Sequence, residues 1–160
     1  MRTFGLIGKT LLHSFSKGYF NEKFHKENIN DAEYKNFELS NISEFTDLIS
    51  KMKLSGLNVT IPYKESVIPF LDELDESAQI IGAVNCVHKG KGYNTDWIGF
   101  LKAMEINKID LNGKDCTILG AGGAAKAIAY ALITSNVKSI SIVNRSQENA
   151  HQLSQWIQDN

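Results

Sequence analysis

The chain has 160 residues, 42% of them hydrophobic and 22% charged, with a formal net charge of −1 at pH 7. This composition is typical of a soluble globular protein that is long enough to bury a core in one domain or in two small ones. The balanced charge gives no electrostatic reason to bind nucleic acid or an anionic membrane, so a small molecule is the expected partner.

The sequence has no recognisable signal peptide or membrane span, and this and its cysteines indicate a cytoplasmic protein. The apolar run at the N-terminus is too short for a signal peptide, and no stretch approaches the roughly 18 apolar residues of a membrane span. Cys86 and Cys116 stand in apolar runs, at a spacing unlike that of metal or redox sites. We interpret both as reduced packing residues, which fits a cytoplasmic protein.

Strand and helix patterns alternate through the first part of the chain. Apolar residues over 45–52 follow the i, i+3, i+4, i+7 spacing of an amphipathic helix, with Ser43 as its expected cap. Pro62 ends the preceding strand, so we expect Lys64 at the start of the next helix. The predicted elements are strands over 3–7, 34–39 and 54–60, helices over 16–27, 45–52 and 71–81, and a hairpin with arms over 83–87 and 91–94.

A second α/β segment follows a polar, turn-rich stretch over 107–113. The predicted elements around it are helices over 97–104, 124–133 and 147–158, and strands over 115–119 and 139–143. We place the domain boundary near residue 110, which gives domains of residues 1–109 and 110–160. The fold class is therefore α/β, with an N-terminal lobe followed by a partial Rossmann-like lobe. A dinucleotide-binding domain needs two βαβαβ halves, so we expect the chain to be a truncated copy that carries the first half.

The segment Gly-Ala-Gly-Gly-Ala-Ala at 120–125 fits the GxGxxA fingerprint of a dinucleotide site. A diphosphate would bind at the N-terminus of the following helix, where free amides and the helix dipole favour negative charge. A flexible strand-to-helix turn is the alternative, and the strand before the motif and the helix after it favour the nucleotide site. The candidate cofactor-binding residues here are Gly120, Ala121, Gly122, Gly123 and Ala124.

Asn144, Arg145 and Ser146 follow the next predicted strand. An NAD site would place Asp or Glu there for the ribose 2′-hydroxyl, and that carboxylate would repel a 2′-phosphate. Arg145 instead offers a planar, permanently charged fork that suits phosphate. The sequence therefore favours NADP over NAD, with a solvent-exposed loop arginine as the alternative interpretation.

Polar side chains gather near the strand ends of the first lobe. They are Asn58, Thr60, Lys64, Asn85, Asn94 and Asp96. Converging donors and acceptors of this kind suit a polyhydroxylated substrate, and Lys64 and Asp96 are the best candidates for an acid/base pair. Taken singly, Lys64 would be a solvated lysine and Asp96 a helix N-cap. Their shared position at strand ends favours the catalytic interpretation.

His13, Ser14 and Ser16 lie in the first strand-to-helix loop. A nucleophilic Ser/His pair is not favoured, because no GxSxG elbow is present and adjacent residues do not readily form the required hydrogen bond. We expect the two serine hydroxyls to bind a substrate carboxylate or to cap the helix. The other histidines have no partners at ligand spacing, so no metal site is expected.

Five ordered segments make the chain resemble the shikimate dehydrogenase family over essentially its whole length. They are Gly8 with His13-Ser14-Phe15-Ser16, Asn58-Val59-Thr60-Ile61-Pro62-Tyr63-Lys64, Gly82-Ala83-Val84-Asn85, Asn94-Thr95-Asp96-Trp97-Ile98-Gly99-Phe100, and the glycine-rich loop with Asn144-Arg145-Ser146. The resemblance implies reversible, NADPH-dependent reduction of 3-dehydroshikimate to shikimate, a step towards chorismate and the aromatic amino acids.

The resemblance also implies roles for individual residues. Ser14 and Ser16 would bind the substrate carboxylate. The residues that would hold its hydroxyls are Thr60, Lys64, Asn85 and Asp96, with Asn58 supporting the loop. An ammonium group on Lys64 would stabilise the developing alkoxide and donate a proton, while Asp96 orients the substrate.

The chain departs from the family pattern at Thr10 and Lys17, where proline is usual, and at Phe20, where histidine is common. Asn149 stands where a second basic residue often follows Arg145, which weakens the implied preference for NADP without reversing it. Three functions remain open: a shikimate dehydrogenase, a fragment that binds substrate without turnover, and a quinate or aminoshikimate dehydrogenase. A homodimer is compatible with the sequence.

Overall fold

The computed structural model describes all residues, 1–160. The chain forms eight strands and seven α-helices, and the predicted α/β fold class is confirmed. The strands are β1 (Arg2–Gly8), β2 (Ala32–Glu38), β3 (Leu54–Val59), β4 (Glu73–Leu74), β5 (Cys86–His88), β6 (Lys91–Tyr93), β7 (Asp115–Leu119) and β8 (Ser139–Val143). The helices are α1 (Ser16–Lys26), α2 (Glu44–Lys51), α3 (Tyr63–Ser66), α4 (Glu76–Ile81), α5 (Asp96–Ile106), α6 (Gly123–Thr134) and α7 (Gln147–Asp159). No helix combines the length and the apolar character that a bilayer crossing requires.

Internal contacts divide the chain into two units. The first comprises Met1–Ala78 and Val84–Tyr93, and the second comprises Gln79–Ala83 and Asn94–Asn160. Helix α5 falls in the second unit because Trp97 packs on Tyr130, with 5.2 Å between ring centroids, and Phe100 joins the core of that unit. The sequence places the boundary later, so the two divisions differ over 79–83 and over 94–109. The domain division near residue 110 stays a prediction.

The first unit is built on a six-stranded sheet in the order β2-β1-β3-β5-β6-β4. Strand β1 runs parallel to both β2 and β3, with Ile7 opposite Phe37 and Val59. Strands β5 and β6 form the predicted antiparallel hairpin, whose turn residues Lys89 and Gly90 both have positive φ. Because β1 and β3 are parallel, their carboxyl ends lie at one edge of the sheet, and the loops that follow them leave from that edge.

Alternate residues of β1 face two different cores. Ile7 is fully buried in the larger core, which also contains Phe45 of α2 and Val67. Leu6 packs on the opposite face in a cluster with Tyr34 and the aromatic side chains of α1. Burial of each large apolar side chain contributes roughly 1.5–3 kcal/mol, so these two layers hold β1 at the centre of the unit.

The outer edge of β2 is paired by a side chain of α1. Asn21 Nδ2 donates to the Tyr34 carbonyl at 2.9 Å, and Asn21 Oδ1 accepts from the Tyr34 N–H at 2.8 Å. Tyr34 is 3% exposed, so water does not readily replace these bonds. The carboxamide therefore takes the place of a neighbouring strand and fixes α1 against β2. Phe20 stacks on the Tyr34 ring at 4.6 Å and strengthens the same contact.

Two local predictions for the first unit are wrong. The stretch 71–81 is not one helix, because strand β4 forms there through pairing with β6, and α4 begins only after Asp75. The Asp75 carboxylate accepts from the Ala78 N–H at 3.0 Å and so caps that helix. Ser43 occupies the expected N-cap position of α2, but its side chain makes no capping hydrogen bond. Its own N–H instead donates to Asn41 Oδ1 at 3.0 Å.

Strands β7 and β8 form a two-stranded parallel sheet in the second unit, at the positions that the sequence predicts. The core of this unit contains Ile118 of β7, Ala125, Ala129 and Leu132 of α6, and Leu153 of α7. Trp156 of α7 donates its Nε1–H to the Ile80 carbonyl at 3.2 Å, across 76 residues of sequence. This bond joins the short segment Gln79–Ala83 to the rest of the second unit.

Replacing Asn21 by alanine should destabilise the protein by about 1–3 kcal/mol. The variant loses two hydrogen bonds and leaves two buried backbone groups of Tyr34 unpaired, whereas the better helix propensity of alanine returns only about 0.7 kcal/mol. Thermal unfolding followed by circular dichroism measures the change. Glu22→Ala is the matched control, because it removes only an exposed ion pair with Lys26 and should change little. An Asn21→Ala protein as stable as its parent would contradict the conclusion that the Asn21 carboxamide fixes α1 against β2.

Candidate active site

A cavity of about 660 Å³ opens at the carboxyl ends of β1 and β3 in the first unit. Its polar lining residues are Lys9, Thr10, His13, Ser14, Ser16 and Thr60. Three predicted substrate-binding residues, Ser14, Ser16 and Thr60, therefore share one cavity of a size that suits a small molecule. The other predicted substrate-binding residues are not part of its lining: Asn58, Lys64, Asn85 and Asp96. The lining includes the ammonium group of Lys9 but no Asp or Glu, so the cavity suits an anion.

The loop after β1 is held by its own backbone and by β2. The N–H of buried Leu11 donates to Glu38 Oε1 at 2.6 Å. The N–H of Ser14 donates to the Leu11 carbonyl at 3.0 Å, and Ser14 Oγ accepts from the N–H of Ser16 at 3.3 Å. Ser14 therefore helps to turn the chain into α1. The first turn of α1 has no acidic residue, so its amides and dipole favour a carboxylate there.

The loops after β1 and β3 approach each other closely at Gly8. A Cβ atom at this position would lie 2.6 Å from Leu11 Cδ2 and 2.7 Å from Thr60 Cγ2. The Thr60 N–H donates to the Ile7 carbonyl at 2.9 Å and so extends the pairing of β1 with β3 into the loop. The absence of a side chain at Gly8 is what allows Thr60 to lie against the loop after β1.

The carboxamide of Asn58 is held by two partners. The Tyr34 hydroxyl donates to Asn58 Oδ1 at 2.8 Å, and Asn58 Nδ2 donates to the Asn85 carbonyl at 3.3 Å. Burial raises the pKa of Tyr34, with a smaller contribution from neighbouring Cys86, so the hydroxyl keeps its proton and stays a donor. These bonds connect β2, β3 and the segment before β5, which suits the supporting role expected for Asn58.

Lys64 lies half-buried in the first turn of α3, where the sequence predicts a helix start. Its carbonyl accepts from the Val84 N–H at 2.7 Å, which ties α3 to the segment that carries Asn85. On another side of α3, the hydroxyl of buried Tyr63 donates to the Leu39 carbonyl at 2.5 Å. Lys64 and Asn85 are thus held by directly bonded segments of one unit.

Asp96 begins α5 in the second unit, with Thr95 rather than Asp96 at the N-cap position. The Asp96 N–H donates to Asn94 Oδ1 at 3.1 Å, and Asn94 Nδ2 donates to the Ala83 carbonyl at 2.9 Å. Asn94 is only 1% exposed, so it is a fixed support for the backbone at Asp96. Because Lys64 belongs to the first unit, its pairing with Asp96 stays a prediction.

The glycine-rich loop after β7 suits a diphosphate. Gly120 has a φ of +119°, which favours glycine. Gly122 is extended, with φ −100° and ψ −171°, and a Cβ atom there would meet nothing within 4 Å. Neither conformation nor packing of the chain explains glycine at Gly122, whereas close approach of a ligand would. Ala121 lies between these glycines, and Gly123 and Ala124 open α6 without a side-chain cap, which leaves N–H groups for phosphate oxygens.

Strand β8 ends beside this loop, because the Gly120 N–H donates to the Val143 carbonyl at 2.9 Å. Asn144 Nδ2 donates to the Ser146 carbonyl at 2.9 Å, and Ser146 Oγ caps α7 by accepting a backbone N–H at 3.3 Å. Asn144 and Ser146 therefore shape the loop after β8. Arg145 between them is exposed, so its guanidinium is accessible to a phosphate near the glycine-rich loop.

Two supporting residues escape the sequence analysis. Tyr34 holds Asn58 through its hydroxyl, and Asn21 holds the backbone of Tyr34. The pattern of β2 indicates only that Tyr34 faces a core. The signal that points further is chemical, because a buried tyrosine hydroxyl needs a hydrogen-bond partner.

The histidines and cysteines are distributed over several elements of the fold. His13 lines the cavity, whereas the His88 Nδ1 atom lies 2.9 Å from the Ser55 carbonyl oxygen. Cys86 and Cys116 are both free thiols. No group of three or more His, Cys, Asp or Glu side chains is placed to hold a metal ion.

Two family models match the chain. The model described as shikimate dehydrogenase substrate binding domain matches residues 6–87, and the model described as shikimate / quinate 5-dehydrogenase matches residues 102–160. The first match takes in the cavity of the first unit. The second takes in the glycine-rich loop and Arg145.

Curated relatives and solved structures give the same result. The shikimate dehydrogenase (NADP(+)) of Caldicellulosiruptor bescii is 41% identical over 99% of this chain and 58% of its own, and that of Pyrococcus abyssi is 42% identical over 98% and 59%. The solved shikimate dehydrogenase of Aquifex aeolicus has a TM-score of 0.88 at 38% identity and covers 98% of this chain and 60% of its own. The Thermus thermophilus enzyme, solved in complex with NADP(H) and shikimate, has a TM-score of 0.84 at 30% identity. The match covers 99% of this chain and 61% of the Thermus chain.

These similarities extend over nearly the whole chain. The chain in turn spans 58–61% of the length of the four proteins named. Sequence identity of 41–42% to the two curated relatives, both family models and the shared fold all agree. The chain belongs to the shikimate dehydrogenase family.

Proposed function

We propose that this chain acts as a shikimate dehydrogenase, in the reversible, NADPH-dependent reduction of 3-dehydroshikimate to shikimate on the route to chorismate and the aromatic amino acids. The observation that carries the proposal is the cavity shared by Ser14, Ser16 and Thr60, with Lys9 and no carboxylate in its lining. A substrate with one carboxylate and several hydroxyls matches that lining. The relative from Thermus thermophilus that was solved with NADP(H) and shikimate supports the choice of ligand.

The proposal assigns residues 1–109 to the substrate-binding domain and residues 110–160 to the first half of an NADP-binding, Rossmann-like domain. The two matched ranges, 6–87 and 102–160, support this assignment. A cytoplasmic homodimer is part of the same proposal. Size-exclusion chromatography with light scattering tests the dimer.

In this proposal the substrate is bound at both ends. Ser14 and Ser16 hold its carboxylate near the N-terminus of α1, where the helix dipole favours an anion. The residues that bind its hydroxyls are Thr60, Lys64, Asn85 and Asp96, and Asn58 holds their loop in place. Apart from that of Lys64, these side chains are short, so little rotamer entropy is lost on binding.

Lys64 and Asp96 form the proposed acid/base pair. NADPH, when bound, supplies the hydride for the carbonyl carbon. The ammonium group of Lys64 stabilises the negative charge that develops on the carbonyl oxygen and donates the proton that completes the hydroxyl. Asp96 orients the substrate hydroxyl and Lys64. In the oxidative direction, neutral Lys64 accepts the proton from the substrate hydroxyl.

NADP is the proposed cofactor, and no metal takes part. Backbone N–H groups of the glycine-rich loop hold the diphosphate, and Arg145 pairs with the 2′-phosphate. The residues of this site are Gly120, Ala121, Gly122, Gly123, Ala124, Asn144, Arg145 and Ser146. The relatives named shikimate dehydrogenase (NADP(+)) support NADP rather than NAD.

The two-stranded sheet of the second unit favours a second candidate, in which the chain binds the substrate without turnover. A dinucleotide-binding sheet has two βαβαβ halves, whereas β7 and β8 are the strands present here. NADPH absorbance with 3-dehydroshikimate and calorimetric titration with shikimate separate the candidates. Turnover supports the enzyme, heat without turnover supports the binding fragment, and neither signal overturns both. Quinate and aminoshikimate in the same assays test the related dehydrogenases.

Substituting Lys64 by alanine should lower turnover by at least about 100-fold while changing KM less than about fivefold, because proton donation is lost and most substrate contacts remain. Steady-state kinetics with 3-dehydroshikimate measure both quantities. Lys53→Ala, at an exposed position between α2 and β3, is the control and should leave both unchanged. Unchanged turnover in Lys64→Ala would refute the role of Lys64 as proton donor.

Substituting Arg145 by glutamine should weaken NADP binding by roughly tenfold and leave NAD binding unchanged, since only NADP carries the 2′-phosphate. Fluorescence titration with each dinucleotide gives the ratio of affinities. The chain offers Arg2→Gln as a control, because Arg2 pairs with Asp31 at the amino end of β1. Equal losses for both dinucleotides would show that Arg145 does not select the cofactor.

Substituting Gly122 by valine should weaken NADP binding by more than roughly tenfold without lowering the thermal midpoint, because the space around Gly122 is open within the chain and the backbone is extended. Gly120→Val should instead lower the midpoint, because its φ of +119° is unfavourable for a β-branched residue. Normal NADP binding by Gly122→Val would show that the diphosphate does not bind at this loop.

A further inference from the structure

A chain of hydrogen bonds runs from α1 to the segment before β5 in the first unit. It begins with the two bonds between the Asn21 carboxamide and the backbone of Tyr34. It continues from the Tyr34 hydroxyl to Asn58 Oδ1 at 2.8 Å and from Asn58 Nδ2 to the Asn85 carbonyl at 3.3 Å. Tyr34 therefore connects the helix that starts at Ser16 with two amides assigned to the substrate site.

The partners of Asn58 allow only one orientation of its carboxamide. The Asn85 carbonyl oxygen is an acceptor and requires the NH₂ group, so Oδ1 faces the Tyr34 hydroxyl, which donates. A carboxamide turned by 180° would place Oδ1 against the Asn85 carbonyl, which is unfavourable. Tyr34 can always donate, since burial raises its pKa above the ordinary value.

The Tyr34 hydroxyl is the donor that holds Asn58 Oδ1. Its ring is 3% exposed and stacks on Phe20 at 4.6 Å, so the side chain has little freedom to move. An adjoining cavity of about 350 Å³ is lined largely by apolar groups, including Phe4, Phe24 and Val87. If the hydroxyl were removed, Asn58 Oδ1 would lose this hydrogen bond beside a mostly apolar lining, whose other polar residues are Ser55, Cys86 and His88.

We propose that Tyr34 is a positioning residue of the substrate site, which acts by fixing the carboxamide of Asn58 and, through it, the loop that carries Asn85. The inference rests on the proposed function, because shikimate is the ligand that these amides would hold. Asn58 Nδ2 has a second N–H beyond the one given to Asn85. With Tyr34 in place, the direction of that N–H is set before the substrate arrives, so no free energy is lost in ordering it.

A double-mutant cycle between Tyr34→Phe and Asn58→Ala tests this inference, with calorimetric titration of shikimate as the measurement. Tyr34→Phe keeps the ring packing on Phe20 and should weaken shikimate binding by roughly five- to tenfold, as expected for the loss of one hydrogen bond. In the Asn58→Ala background the same substitution should have no further effect, since Tyr34 acts through Asn58. Tyr19→Phe, at a tyrosine that is 52% exposed, is the control and should leave affinity unchanged.

A second measurement uses the free protein and needs no ligand. Hydrogen exchange of the Asn58 side-chain NH₂ group, followed by NMR, should become several-fold faster in Tyr34→Phe and stay unchanged in Tyr19→Phe. Thermal unfolding of each variant confirms that it is folded. This measurement keeps the link between Tyr34 and Asn58 testable even if Asn58→Ala fails to fold.

The outcomes are distinguishable. Equal weakening of shikimate binding by Tyr34→Phe in both backgrounds would mean a general structural effect and would overturn the inference. Unchanged affinity, or unchanged exchange of the Asn58 NH₂ group, would overturn it as well. Failure of the unsubstituted chain to bind shikimate would overturn the proposed function, and with it this role, and it would be seen before any variant is made.

Discussion

The cavity of the first unit depends on the close approach of two loops at Gly8. Strands β1 and β3 run parallel in a register that places Ile7 opposite Val59, so both strands end at the same edge of the sheet. Any side chain at Gly8 would begin with a carbon within 2.7 Å of methyl groups of both Leu11 and Thr60, so these side chains would have to move. Position 8 carries no side chain, so the two loops lie close together. Hydroxyl groups that are far apart in sequence therefore share one cavity.

The sequence reveals the residues proposed to touch the substrate better than the residues that hold them. Ser14 and Thr60 stand out as polar groups after apolar strands, and the structure brings them to one cavity. Their supports are invisible to such a pattern, because Tyr34 reads as a core residue and its bond to Asn58 crosses 24 positions of sequence. The proposed pairing of Lys64 with Asp96 joins residues of different units, so it stays a prediction.

The fold was predictable where a single segment carries its own signal. The strand over 139–143 alternates apolar and polar residues between turns, and its bounds are those of β8. Strand β4 has two residues and forms only because β6 lies beside it, so the stretch 71–81 looked helical throughout. The domain boundary near residue 110 stays a prediction, because the apolar stripe of a helix shows that the helix packs but not which core it joins.

The bond from Trp156 to the Ile80 carbonyl has a consequence for synthesis on the ribosome. Ile80 is made 76 residues before its partner, an interval of about 4–15 s at typical elongation rates. Its neighbours Ile81 and Ala83, both fully buried in the finished protein, pack with Trp97, Ala127 and Tyr130, so their core is incomplete until α6 has been made. Nascent chains therefore carry this apolar stretch uncovered until α6 emerges, and a chaperone that recognises short hydrophobic segments should bind them there.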